Sequence, residues 1–109
     1  MSQFGDLYAQ YYDLLYESKD YEGEVAYIDM LIKKNASNCT TILDMGCGTG
    51  KHASLLSDNS YCVDGVDLSM EMLTIAEKRR KGKEDRLQFY HANIQEINLD
   101  KKFDVVISL

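Results

Sequence analysis

Proline is absent from the sequence, and no stretch approaches the ~20 apolar residues that a bilayer-spanning helix needs. The second absence leaves no membrane-spanning segment to expect; the first has no physical account. Positive charge is also scarce. Lys and Arg number 12 against 18 Asp and Glu, a net charge of −6, so DNA, RNA or an anionic membrane is a poor electrostatic partner. Cysteine occurs three times, as Cys39, Cys47 and Cys62, an odd set without C-x-x-C spacing. That favours reduced thiols over a disulfide framework. His52 and His91 do not complete a closely spaced ligand set, so no metal is expected. The first residues, Met1 to Asp6, lack the basic and apolar regions of a secretory leader. A cytoplasmic location is the expectation.

What is present fits one small globular domain. The 109 residues are 45% apolar and 28% charged, enough to bury a real core. Residues 6–17 carry Tyr8, Tyr11, Tyr12 and Tyr16 among leucines and predict one or two helical turns. A helix follows over roughly 20–34, with Asp20 as its cap and Val25, Ile28, Leu31 and Ile32 at helical spacing on one face. Glu22, Glu24, Asp29 and Lys33 take its wet side. The period then changes. Thr40–Met45 reads as a buried parallel strand, Lys51 to about Ser57 as a helix, and Tyr61–Asp67 as a second strand. Ser69 caps a helix through about Lys81 with Met72, Leu73 and Ala76 inward, stopped by Gly82. Leu87–His91 is a third strand and Phe103–Leu109 a fourth, with a weak helical turn in 94–99. Strands alternating with helices predict βαβ units, hence an α/β fold with a parallel sheet and helices on both faces. Ligands of such sheets sit beyond the carboxyl ends of the strands.

The chemistry concentrates at those ends. Asp44-Met45-Gly46-Cys47-Gly48-Thr49-Gly50 leaves a strand and enters a helix. Glycines there permit positive φ and let a ligand approach the backbone, beside the free amides of a helix start. The spacing is G-x-G-x-G rather than the G-x-G-x-x-G of dinucleotide sites, and an acid stands two residues ahead. A carboxylate there repels a pyrophosphate and suits a cation. Cys47 is expected to contribute only its backbone amide. Asp67 ends the second strand, 67 − 46 = 21 residues after Gly46, where an acceptor-only carboxylate can take both hydroxyls of a ribose. The pocket therefore asks for a ribose with free hydroxyls, a positive charge and no pyrophosphate.

This combination resembles the class I S-adenosylmethionine-dependent methyltransferases. Their glycine motif matches Leu43 to Gly50, their second motif Gly65-Val66-Asp67-Leu68-Ser69 with Met70 to Leu73 after it, and their fourth-strand motif Phe103-Asp104-Val105-Val106. The resemblance implies a Rossmann-like, doubly wound parallel sheet in the order 3-2-1-4, the visible part of a seven-stranded domain. It makes residues 1–38 a helical lid and 39–109 the core of one cofactor-binding domain, truncated at its C-terminal side. It also implies S-adenosylmethionine as cofactor. Asp44 and the loop with Gly46, Cys47, Gly48 and Gly50 would hold its methionine part, and Asp67 the ribose. Leu68 would lie against the adenine, with Met72 following in the same motif. Asn93 and Ile94 stand where the family often has an acid and an apolar residue near the adenine amine; Ser108 ends strand four near the reacting methyl. The tyrosine-rich start, with Lys19-Asp20-Tyr21, is similar to enzymes that N,N-dimethylate amino sugars on a nucleotide carrier, where Tyr16 and Tyr21 would contact the cofactor.

Several readings stay open beside this one. The glycines could form only a tight turn, and the tyrosines could be ordinary packing. His52 and His91 read as structural or solvated, and the basic run Lys78 to Lys81 with Lys83 as a solvated face at a helix end. An NAD-linked oxidoreductase is the rival enzyme. A cofactor-binding fragment or module without turnover is the non-enzymatic rival, because the sequence stops inside the apolar run of strand four; left as an edge, that strand invites self-association. No side chain stands out as a general base. The acceptor is expected to be a small molecule.

Overall fold

The computed structural model describes residues 20–93 and 102–108. The expectations for 6–17 (Tyr16 among them), for the turn in 94–99 and for Ile94 lie outside the described residues. Among the described residues the elements are α1 (Tyr21–Asn35), β1 (Thr41–Met45), α2 (Lys51–Asp58), β2 (Cys62–Asp67), α3 (Met70–Lys78), β3 (Leu87–His91) and β4 (Val105–Ile107). All three strand pairings are parallel, as the alternating pattern predicted, and the order is β3-β2-β1-β4, as the family resemblance implied.

β1 contributes Ile42, Leu43 and Asp44 in an unbroken buried run, the signature of a strand covered on both faces. The core gathers Ile42, Val63 and Leu87 from three strands with Ala53 and Leu56 of α2 and Val25 and Ile32 of α1. α1 is held at its start and at its middle. Asp20 accepts the Gly23 N–H at 2.9 Å, and Asp29 accepts the hydroxyl of buried Tyr61 at the head of β2. That hydroxyl, and then Lys33 at 2.9 Å, hold the Asp29 carboxyl below its ordinary range. Leu31 departs from expectation. It lies off the Val25–Ile28–Ile32 stripe, 38% exposed, and lines a groove against Val105 and Ile107 of β4.

Two boundaries differ from the sequence reading, each for a local reason. α3 ends at Lys78, a turn before Lys81, because Arg79 and Arg80 turn their N–H groups to Ala76 and Glu77 three residues back, at 2.9 and 3.1 Å. The basic run is not simply a solvated face. Arg79, Arg80, Lys83 and Arg86 donate to the carbonyls of Thr49, Leu87, Ser54 and Ser57, while Lys78 and Lys81 stay exposed. β4 covers only Val105–Ile107, since the Asp104 carboxylate takes over the ladder below it, accepting the Thr40 and Thr41 N–H groups at 2.8 and 3.1 Å.

The middle of β2 shows how tightly the layers close. A Cβ on Gly65 would stand 2.8 Å from Phe89 Cδ1 and 2.9 Å from Cys47 Sγ. Gly65→Ala is therefore expected to lower stability by about 1–3 kcal/mol, the usual cost of overpacking, read as a fall in the thermal midpoint by circular dichroism. An unchanged midpoint would mean that the Phe89 ring can move aside freely.

Candidate functional site

The carboxyl ends of β1 and β2 meet at a register that pairs Met45 with Val66. Each strand then delivers one acid and one turn. Asp44 is 2% exposed beneath the loop that follows β1. Burial, and then the charge of Asp67, push its pKa up to about 7. The two carboxylates are thus close enough to repel, and a cation placed above them would relieve both.

The loop between β1 and α2 is built on residues with left-handed backbone: φ is +78° at Gly46, +55° at Gly48 and +77° at Gly50. At Gly46 and Gly48 an added Cβ would meet nothing within 4 Å among the described residues, which leave this side of the loop open. Its other side is tied down. Val66 O accepts both the Gly46 N–H (2.8 Å) and the Cys47 N–H (2.9 Å). This corrects the expectation that the Cys47 amide faces a ligand: with Gly46 turned to positive φ, that N–H points back at β2. The Cys47 thiol is buried, and burial, Asp44 and Asp67 raise its pKa.

Asp67 is the hinge of the arrangement. Its Oδ2 accepts the Gly48 N–H at 2.8 Å and its Oδ1 the Ser69 N–H at 2.9 Å. One carboxylate so fixes the glycine loop and the entry to α3, where Ser69 caps the helix by accepting the Met72 N–H at 3.2 Å. Each oxygen of Asp67 has a second lone pair, a match for two vicinal hydroxyls. Leu68, next in sequence, is 63% exposed, and its carbonyl accepts the Nε2–H of His91 at 2.9 Å. The chain leaving β3 stays beside β2, the Ala92 N–H reaching Asp67 O at 3.1 Å. That places Asn93 next to the Asp67–Leu68 turn.

The remaining candidates divide. Met72 is buried on the inner face of α3. Tyr21, at the head of α1, lies edge-on to His52 with ring centroids 4.9 Å apart and with Lys51 Nζ 6.0 Å from its ring centre. His52 also pairs with Glu24 at 3.3 Å, so the start of α1 is fastened to the first turn of α2 just past Gly50. Ser108, one step beyond the register that pairs Asp44 with Ile107, borders the apolar groove under α1. Sequence reasoning missed two partners of the loop, Glu24 through His52 and Arg79, whose Nε–H donates to Thr49 O at 2.8 Å. Each comes from a helix remote in sequence, and no local pattern announces it.

The carboxylate acceptors and the open cradle fit a ribose-bearing, cationic ligand. A buried acid beneath the loop does not fit a pyrophosphate. Among the described residues no group of His, Cys, Asp or Glu could hold a metal ion.

Residues 42–109 match the family model described as a methyltransferase domain. The chain is 32% identical, over 90% of its length, to dTDP-3-amino-3,6-dideoxy-alpha-D-glucopyranose N,N-dimethyltransferase of Streptomyces fradiae, of which it covers 38%. It is 31% identical, over 94% of its length, to dTDP-3-amino-3,4,6-trideoxy-alpha-D-glucopyranose N,N-dimethyltransferase of Streptomyces venezuelae, covering 42% of that protein. Among solved structures it superposes with a TM-score of 0.81 on an S-adenosylmethionine-bound amino pentose methyltransferase of Micromonospora echinaspora, at 27% identity, over 90% of this chain and 41% of that one. The chain spans about two fifths of the length of the relatives it matches.

Proposed function

The chain belongs to the class I S-adenosylmethionine-dependent methyltransferases, and from that premise we propose that it binds S-adenosylmethionine for methyl transfer to the amine of a small molecule, an amino sugar carried on a nucleotide. The observation that carries the cofactor half is Asp67, shared between Gly48 and Ser69 with acceptor capacity left toward the open side of the loop. The relatives named above, two of them acting on dTDP-linked amino sugars, support the acceptor half.

When bound, the cofactor supplies an activated methyl group, so no covalent attachment to the protein is required. This chain's residues bind and orient it. Asp67 takes the ribose hydroxyls, Leu68 and Asn93 flank the adenine, and Gly46 and Gly48 clear space for the methionine portion. Asp44 sets a negative charge beneath it. Tyr21, together with Tyr16 and Ile94, would complete the enclosure, and Ser108 would lie toward the acceptor. An acidic protein surface favours a small polar acceptor over nucleic acid, and a cytoplasmic setting agrees with reduced cysteines. β4 stands at the edge of the sheet, which supports a partner strand along it.

Titration calorimetry with S-adenosylmethionine and, separately, NADH tests the reading. Binding of the first and not the second is expected; the reverse would return the fold to the oxidoreductases.

A further inference from the structure

The glycine loop is held in shape by groups that lie outside it, and one of them comes from the far end of α3. Three glycines at positive φ in five residues make a backbone with many accessible conformations. Each peptide plane therefore needs a clamp. Val66 O holds the Gly46 and Cys47 amides, and Asp67 holds the Gly48 amide. The Thr49–Gly50 plane is held within the loop at its N–H end, where Gly50 donates to Cys47 O at 2.9 Å. Its carbonyl end has no role in the helix ladder, which begins one residue later with the Ser54 N–H on Gly50 O at 2.8 Å. Thr49 is 3% exposed, and the Nε–H of Arg79, the residue just after α3, reaches its carbonyl at 2.8 Å. The approach is close because the last turn of α3 presses on the loop: a Cβ on Gly50 would stand 3.0 Å from the Ala76 Cβ and 2.7 Å from Phe89 Cζ.

We infer that Arg79 is a positioning residue for the cofactor: by holding the Thr49 carbonyl it fixes the plane through which the open face of the glycine loop is presented to the ligand. The inference rests on the cofactor reading above. It gives α3 a task beyond closing the β2–β3 connection, because the helix that starts at the Asp67 turn returns at its other end to brace the same loop.

Arg86 supplies a matched control. Its Nε–H donates to a backbone carbonyl in the same way, Ser57 O at 2.9 Å, but at the other end of α2. Arg79→Met is expected to weaken S-adenosylmethionine binding about tenfold, the effect of losing one charged hydrogen bond. Arg79→Lys, which can still donate, should recover most of it. Arg86→Met should lower the melting temperature and bind the cofactor as the parent does. Hydrogen exchange at the Gly48 and Gly50 amides of the ligand-free chain reads the same clamp without cofactor, and should quicken about tenfold in Arg79→Met. Should Arg79→Met not fold, Arg79→Leu, which also has no donor, carries both measurements. Affinity within twofold of the parent, no rescue by lysine, or an equal loss in Arg86→Met would overturn the inference. A parent chain that binds no S-adenosylmethionine while exchange still answers to Arg79 would overturn the cofactor reading and leave the brace standing.

Discussion

Asp67→Ala is expected to weaken S-adenosylmethionine binding by a factor of roughly 10² to 10⁴ and to leave the domain folded. Two hydroxyls donating to one ionised carboxylate are charge-assisted hydrogen bonds, and each contributes about 1.5–3 kcal/mol. The substitution also frees the Gly48 N–H, which now ends 2.8 Å from Oδ2, so the loop loses a tie on the side where the ligand sits. The fold should survive, because the cap of α3 is made by Ser69 Oγ with the Met72 N–H and does not pass through Asp67. Asp67→Asn separates the two effects. Its single carbonyl oxygen can serve the loop or the ligand, and its amide group cannot accept from either. It should bind more weakly than the parent by nearly as much as alanine does, with a smaller change in melting temperature. Calorimetric titration beside circular dichroism melts makes the comparison. Full affinity in the alanine variant would remove Asp67 from the site.

The fold was legible in the sequence wherever a pattern repeats within a few residues. The run Ile42-Leu43 with Asp44 is buried as a parallel strand should be, and Ser69 caps α3 as its place before Met70 indicated. The two acids and three glycines were legible for a further reason: a strand-to-turn junction is where the chain brings a side chain and a bare backbone to the same ligand. What stayed hidden depends on where one segment's donors find another's acceptors. Lys78 to Lys81 reads as a solvated cationic end. Yet Arg79 and Arg80 leave that face because buried carbonyls at Thr49 and Leu87 lie within reach of their long stems. Cys47 misled in the opposite way. Its neighbours are glycines, but their positive φ turns the Cys47 N–H toward Val66 O. Asp104, read only as part of a strand motif, replaces a rung of the ladder, and the Thr40 and Thr41 N–H groups first, with the Thr40 hydroxyl at 3.2 Å, keep its carboxyl below the ordinary range.

Asp44→Asn should stabilise the ligand-free chain above pH 7 while impairing the site. The buried Asp44 carboxyl has its pKa raised from 3.8 to about 7, by burial first and by Asp67 second. Between those values the unfolded chain has released a proton that the folded chain keeps. Stability must then fall as pH rises through this window, by up to ~1.4 kcal/mol per pH unit, and level off above pH 7. The total approaches about 4 kcal/mol. Asparagine has no such proton, so the advantage of the variant should be smallest near pH 4 and largest above pH 7. Asp29 and Asp104 do not blur the comparison: their carboxyls are lowered, and what they contribute is lost only as pH falls below the ordinary carboxylate range. The cofactor should act in the opposite sense to the proton. A cation above the loop favours the ionised carboxylate, so binding to the parent should release a proton near pH 6 and strengthen as pH rises toward 7.5, and the variant should show neither effect. Calorimetry in two buffers of different ionisation enthalpy measures the proton directly. A parent chain whose affinity is flat across this range, or a variant that gains no stability at pH 8, would mean that Asp44 keeps its charge in the folded chain and that something other than a bound cation compensates it.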